Sequence, residues 1–515
     1  MLGGAGALVF LATTAIGLAG LLQESWFREW FFTQALLRNW KSTEDPPAEP
    51  RVPYVAAQPE PDPRSLQRPA DLFVPSRIWT VRLKFSSNGW QSIQPKSVPR
   101  SRGWLRADGT LLLSNTNAPR PGLAGVLGFA QPWSHADLAF GDLPFTNVAV
   151  RFKGNGTFIS SENRYHSPYK IDLSKLPPKR AFVGQTELNL HNLVADHSCL
   201  ADTLGYEFFR DAGLPAPRTT FARLFLTIDG RWSDRILGLY LLVEDPSESW
   251  LAESLGHPGG ALFKPVTLEL FSDLGDAWEP YVPIYNPKSE VSDAQRRRLV
   301  ELSRLVTHAD DAEFARRIFD YVDLDALCRF VACEALLANY DGIFTNGQNF
   351  LLWLDASTGK FGFAPWDLDH SWGEFEHFGS REDKVRADVF HPWAGRHRFF
   401  ERVFAVPAFD ARYRAELRRI LDTLFVPERL HGRIDTLAAA IRPAVAGLPE
   451  QRVHAFEHAV GGKTPPPSNA EPRKQPGGNA YALKPFIERR AASVRDQLEG
   501  RATGVRIRLA PEQRK

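Results

Sequence analysis

The sequence predicts an α+β chain, rich in strands in its N-terminal part and in helices in its C-terminal part. Early segments alternate polar and apolar residues at period two, whereas segments from residue 292 onward repeat apolar residues at helical spacing. The composition, 43% hydrophobic and 24% charged, is that of a globular protein with enough apolar material for a sizeable core.

Along the chain, RIWTVRLKF alternates and reads as a strand, so the ordered domain is placed from about Ser76 to residue 500. WLRADGTLLLS reads as a hairpin around Asp108 and Gly109, and FTNVAVRFKGNG as a strand closing in a glycine-rich turn. HSCLADTLGYEFFRDAGL has helical spacing and stops at Gly213, and two strands follow with a turn at Asp229-Gly230. Residues 292–338 and 400–450 read as helical, and FLLWLDASTGKFGFAPWDLD as a hairpin leading into an acidic turn. Residues 461–478 are too polar and proline-rich to pack, ALKPFIERRAASVRDQL is a final amphipathic helix, and residues 501–515 form a polar tail.

The N-terminal 22 residues carry no charge and at helical rise span about 30 Å, which predicts a membrane anchor or a signal peptide. The basic region that opens a signal peptide is missing, while Gly17-Leu18-Ala19 would serve as a cleavage site. Positive charge begins at Arg28, Arg38 and Lys41, which favours a cytoplasmic body if the segment stays uncut. Membrane anchoring and export both remain open. Residues 23–75 read as an amphipathic stretch and a linker, and 45–70, dominated by proline, alanine and charge, is expected to be extended and poorly packed.

The net charge is +2, and the one basic run, Arg296 to Arg298, lies in a helical pattern that turns Leu299, Leu302 and Leu305 inward. Nucleic acid is therefore not an expected partner. Cys199, Cys328 and Cys333 are too few and too scattered for a disulfide framework and read as small buried hydrophobes.

The chemistry concentrates between Asn339 and Trp372. Asp341 and Asn346 are separated by four residues, Asn349 follows, and one hairpin later comes Pro365-Trp366-Asp367-Leu368-Asp369. Protein kinases place their parts in this order: an Asp that orients or deprotonates the substrate hydroxyl, an Asn that holds a metal, and an Asp on the next hairpin that holds Mg²⁺. Mg²⁺ is a hard cation that takes carboxylate and amide oxygens. The plainer readings are a turn aspartate at Asp341, a capping amide at Asn346 and a turn or capping aspartate at Asp367. The flanking Trp366 and Trp372 favour a partly buried carboxylate at Asp367, which is costly without a cation.

These residues, together with Asn-Phe-Leu-Leu-Trp and Pro-Trp-Asp-Leu-Asp-His-Ser-Trp-Gly, resemble the central signature of the spore coat protein H (CotH) family of atypical protein kinases. Upstream, Val150 to Gly156 is similar to the family's Arg-x-Lys-Gly-Asn segment, Tyr169-Lys170-Ile171 to its lysine-bearing strand, Asp196 to Leu204 to its first helix, Gly238 to Glu244 to its Gly-x-Tyr-x-x-x-Glu strand, and Leu262-Phe263-Lys264 to its Leu-Tyr-Lys step. The resemblance covers roughly residues 76–500. It implies a divergent protein-kinase-like fold that uses ATP with Mg²⁺ or Mn²⁺ to phosphorylate Ser or Thr of a protein such as a coat or surface component. Asp341 would be catalytic and Asp367 the principal metal ligand, with Asn346 and Asp369 assisting. Lys170 or Lys264 would contact ATP phosphates, Glu244 would pair with a lysine, and Arg151 would lie at the nucleotide. Asp196 and Glu244 also read as members of structural ion pairs, and Arg151 and Lys153 as the polar face of a strand. Gly-Asn-Gly-Thr stands where the family usually carries serines, which counts against phosphate contacts by serine hydroxyls at that turn.

Two other classes stay open: a non-catalytic, adhesin-like binding protein on the same scaffold, and a metal-dependent phosphoesterase. For the latter, His370, Glu374, Glu376, His377, His391 and His397 follow the acidic turn, but no metal-binding spacing such as His-Glu-x-x-His is present, and solvated loops are the expectation.

Overall fold

Alternating side chains close the first half of the protein into a barrel. In the computed structural model, residues 54–56, 59–98, 103–105, 111–113, 129–161, 164–267, 269–345, 347–375, 378–462 and 482–508 are described. The barrel strands are β1 (Ile78–Phe85), β2 (Ser134–Phe140), β3 (Leu143–Phe152), β4 (Tyr169–Asp172), β5 (Glu187–His191), β6 (Thr219–Ile228) and β7 (Trp232–Glu244). They run in the order β1-β6-β7-β5-β4-β3-β2 and close on β1; β1 and β6 are parallel and the other pairs antiparallel. Val150, Phe152, Tyr169, Ile171, Leu188 and Leu190 fill its core. The residues between them, Arg151, Lys170 and Asn189, are cross-strand neighbours, Arg151 opposite Lys170 and Lys170 opposite Asn189. Successive strand side chains point to opposite faces, so these polar residues share the outer face.

The ordered barrel begins earlier than Ser76. Pro63 and Leu72 are buried, Glu60 Oε1 accepts the Thr80 N–H at 3.0 Å, and Trp79 Nε1 donates to the Leu72 carbonyl at 3.1 Å. The linker expectation therefore fails over 60–73, where a few apolar and capping side chains among the prolines find the barrel. Gly103–Leu105 pairs antiparallel with Leu111–Leu113 as the predicted hairpin requires. Its Asp108-Gly109 turn, Asn346, the N-terminal segment 1–22 and the polar loop from residue 463 lie outside the described residues. Among the described residues no helix is long and apolar enough to cross a membrane.

The second half is helical around a separate core. Its elements include α1 (Ala201–Asp211), which precedes β6, then α2 (Asp293–His308), α3 (Asp311–Tyr321), α4 (Leu324–Leu337), α5 (Pro407–Thr423), α6 (Pro427–Val445), α7 (Glu450–Gly461) and α8 (Leu483–Leu498). Leu299, Leu302 and Leu305 are buried as the helical spacing predicts, and all three cysteines are free and buried. Arg298 stacks on Tyr321 at 3.8 Å and donates to the Gly359 carbonyl, so part of the arginine run ties α2 to its neighbours. A small antiparallel sheet of β8 (Ala261–Phe263), β9 (Phe350–Asp355) and β10 (Lys360–Pro365) joins this core, and its last two strands are the predicted hairpin. Leu239, Leu241 and Val243 of β7 also belong to the helical core, which seats the barrel on it.

Candidate functional site

The acidic turn after β10 is pinned against α1. Asp367 has a left-handed φ of 56°, and its N–H donates to Tyr206 Oη at 2.8 Å. The Leu368 N–H donates to Asp202 Oδ1 at 2.6 Å, and Trp372 Nε1 to the Ala201 carbonyl at 3.1 Å. Gly205 permits the approach: a Cβ there would lie 2.5 Å from Leu368 Cδ1. The turn thereby aims two carboxylates, Asp367 and Asp369, at two clusters.

The first cluster is Asp341, Asp369 and His370, whose ligating atoms lie within 4.8 Å of one another. Asn349 Nδ2 holds Asp341, donating to its Oδ2 at 3.1 Å and to its carbonyl at 2.8 Å. Burial, with Asp367 close by, pushes the Asp369 carboxyl well above the usual carboxylate range. His370 Nδ1 lies 2.6 Å from Glu374 Oε2; burial opposes its charge, but Glu374 and Asp369 hold the imidazole well above its ordinary value. The donors here are mainly hard oxygens, and a divalent cation would remove the penalty on Asp369, so the residues fit Mg²⁺ or Mn²⁺.

The second cluster is His191, Asp202 and Asp367, again within 4.8 Å. Lys153 Nζ lies 2.5 Å from His191 Nε2, and His191 Nδ1 lies 3.2 Å from Asp202 Oδ2. An ammonium only donates, so Nε2 accepts and Nδ1–H donates to Asp202. Burial, with Lys153 alongside, takes His191 down to about 3, and burial pushes Asp202 up to about 6. Lys153 and Lys264 both face the Trp366 ring, at 5.4 and 4.8 Å. Among the described residues neither lysine has a carboxylate within ion-pair distance, and burial pulls Lys153 down to about 8 and Lys264 to about 7. Two partly desolvated ammonium groups beside a carboxylate turn have the charge and the N–H donors that a polyanion needs.

The other expected residues fall as follows. Lys170 lies on the same barrel face, 2.6 Å from Glu187 Oε2 and 3.2 Å from Asp245 Oδ1; burial works against its charge, but these two carboxylates hold it above its ordinary value. Arg151 stacks on Trp133 at 5.1 Å and donates to the Phe152 carbonyl. Glu244 does not pair with a lysine. Its carboxylate takes Arg218 Nε at 2.9 Å, Arg218 Nη2 and the Arg218 N–H, so of its two readings the ion pair holds. Asp245, one residue later, is the lysine partner. Asp196 forms no ion pair; it accepts from the N–H groups of Ser198 and Ala201 at 2.8 Å at the start of α1.

The histidines correct a second expectation. His370 is not on a solvated loop but beside Asp341 and Asp369, and Glu374 lies against His370. His397 is buried and caps a short helix, and His391 lies against Trp393 at 3.9 Å; Glu376 and His377 lie outside the described residues. The sequence expectations place neither His191 nor Asp202 in the site. A signal was present: Glu187-Leu188-Asn189-Leu190-His191 alternates as strictly as Arg151-Phe152-Lys153, which puts both polar sets on the outer barrel face.

Comparison with known proteins gives a family. The family model described as CotH kinase protein matches residues 150–494. The inner spore coat protein H of Bacillus subtilis (strain 168) is 26% identical over 305 residues, 58% of this chain and 78% of that relative. The family match spans both clusters and both lysines.

Proposed function

The chain belongs to the CotH kinase protein family, and from that premise we propose that it transfers the γ-phosphoryl group of ATP to Ser or Thr of a protein, with Mg²⁺ or Mn²⁺ as cofactor. The observation that carries the reading is Asp341 beside Asp369, with Asp367 in the same turn facing two partly desolvated lysines that meet no carboxylate within ion-pair distance among the described residues. Lys153 and Lys264 offer N–H donors to phosphate oxygens. Asp367 and Asp369, with Asn346, would hold the cation, which supplies charge neutralisation. Asp341, fixed by Asn349, accepts the hydroxyl proton of the substrate. Arg151 and Lys170 extend the cationic face along the barrel. A coat or surface protein is the substrate suggested by the name of the spore-coat relative, and residues 1–22 are proposed to anchor or export the chain.

The test is transfer of labelled phosphate from ATP to casein or to the protein itself, with Mg²⁺ or Mn²⁺ supplied or chelated. Transfer that needs both nucleotide and metal supports the reading. Phosphate release from esters with metal alone would instead indicate a phosphoesterase, and binding with neither would indicate an adhesin-like protein.

The lysines make nucleotide binding depend on pH. With free-state values of about 8 and about 7, both are charged in mild acid and lose protons as pH rises. A bound polyphosphate restores the charge, so binding takes up protons. Affinity is expected to fall at least roughly tenfold from about pH 7 to about pH 9. Calorimetry in buffers of different ionisation enthalpy measures both effects. An affinity flat across that range would remove these lysines from the phosphate site.

A further inference from the structure

The last turn of α4 meets the loop that carries Asp341 at two side chains. Asn339 Nδ2 donates to Glu334 Oε2 at 2.9 Å, and the Asn339 N–H donates to the Glu334 carbonyl at 3.2 Å. Both side chains are sealed from solvent, Glu334 at 0% and Asn339 at 1% exposure. Yet the second oxygen on each, Glu334 Oε1 and Asn339 Oδ1, is buried with no hydrogen-bond partner among the described residues. Two orphaned acceptors on planar groups that already share one hydrogen bond call for one donor between them.

We infer that Glu334 is a neutral carboxylic acid whose O–H donates to Asn339 Oδ1, closing an acid–amide ring that positions the Asp341 loop. The surroundings agree. Burial pushes the Glu334 carboxyl up to about 8, opposed by the Asn339 hydrogen bond, and among the described residues no cation pairs with it. The one thiol that feels it is Cys333. The Arg490 guanidinium, bonded to the Ala335 carbonyl in the same turn, also serves the carbonyls of Val385 and Ala387. The loop lies directly on the ring: a Cβ at Gly342 would fall 2.8 Å from Asn339 Nδ2 and 3.5 Å from Glu334 Oε2. Asp341 is thus held between a residue of the ring and a glycine packed against it. Glu334 is a positioning residue. Its effect on rate rests on the proposed transfer reaction, whereas the ring itself does not.

The test compares the full chain with Glu334→Gln and Glu334→Ala. Glutamine can close the same ring with its amide, and alanine cannot. Infrared difference spectra of wild type against Glu334→Gln at neutral pH should show a protonated-carboxyl band that disappears above about pH 8. A folded-state pKa above the unfolded one means that wild type loses stability as pH rises toward 8, so Glu334→Gln should match wild type in mild acid and unfold at higher temperature in mild alkali. Transfer should stay within about twofold in Glu334→Gln and fall about tenfold in Glu334→Ala. No such band, or a Glu334→Gln protein that melts below wild type at neutral pH, would overturn the ring. If only the kinase reading is wrong, all three proteins fail to transfer phosphate while the band and the melting pattern persist. Should Glu334→Ala not fold, the spectra of the other two proteins still decide.

Discussion

Alanine in place of Asp341 is expected to slow phosphate transfer by about 10²- to 10⁴-fold, the worth of a positioned general base. Two hydrogen bonds from Asn349 fix the Asp341 carboxylate and carbonyl, and a carboxylate oxygen of Asp369, on the acidic turn, is within 4.8 Å. Asp341→Asn separates chemistry from geometry, because an amide can keep a hydrogen bond to Asn349 but cannot take a proton. It should therefore be as slow as Asp341→Ala while binding nucleotide as wild type does. Asp367→Ala should lose transfer by a different route, about 10²- to 10³-fold through lost stabilisation of phosphate charge, and should also lose metal-dependent nucleotide binding. Labelled-ATP transfer and nucleotide titration with and without metal read the two effects. An Asp341→Asn protein with wild-type transfer would remove that residue from the chemistry.

Much of this site is visible in the sequence because its parts follow one another along one stretch of chain. Asp341, Asn349 and the Asp367–Asp369 turn are separated only by the β9–β10 hairpin, and alternation plus a Thr-Gly turn reveals that hairpin. What stayed hidden depends on long-range closure. Lys153, His191 and Asp202 reach the site because β3, β5 and α1 converge on a turn more than 160 residues downstream of Asp202. Alternation shows which face such residues occupy, but not what that face meets. The sequence leaves the Glu244 pairing between two readings for a related reason. Glu244 and Asp245 are adjacent, and only the way the chain leaves β7 decides which of them meets Lys170. The early start of the barrel was obscured by proline content, since Pro63 and Leu72 are buried within a stretch whose composition suggests an extended linker.

The Glu244 assignment yields the largest expected change in stability. Arg218→Met is expected to destabilise the protein by about 3–5 kcal/mol, because it strands a carboxylate that is 1% exposed. The pair is not symmetric. Arg218 is 19% exposed and has a second partner in Glu253, at 2.8 Å, so removing Glu244 leaves the guanidinium with a carboxylate at its rim. Glu244→Gln should therefore cost less than Arg218→Met, and it should leave nucleotide affinity unchanged. The pH dependence has a fixed sign. Burial already raises the Glu244 carboxyl, with Arg218 opposing the rise. Without Arg218 the folded state holds a proton that the unfolded state releases, so Arg218→Met should recover stability as pH falls toward 5 and lose it as pH rises. Urea unfolding of the three proteins across that range measures the effect. If Glu244→Gln instead kept its stability and lost nucleotide affinity, Glu244 would return to the binding site and the Arg218 pair would be incidental to folding.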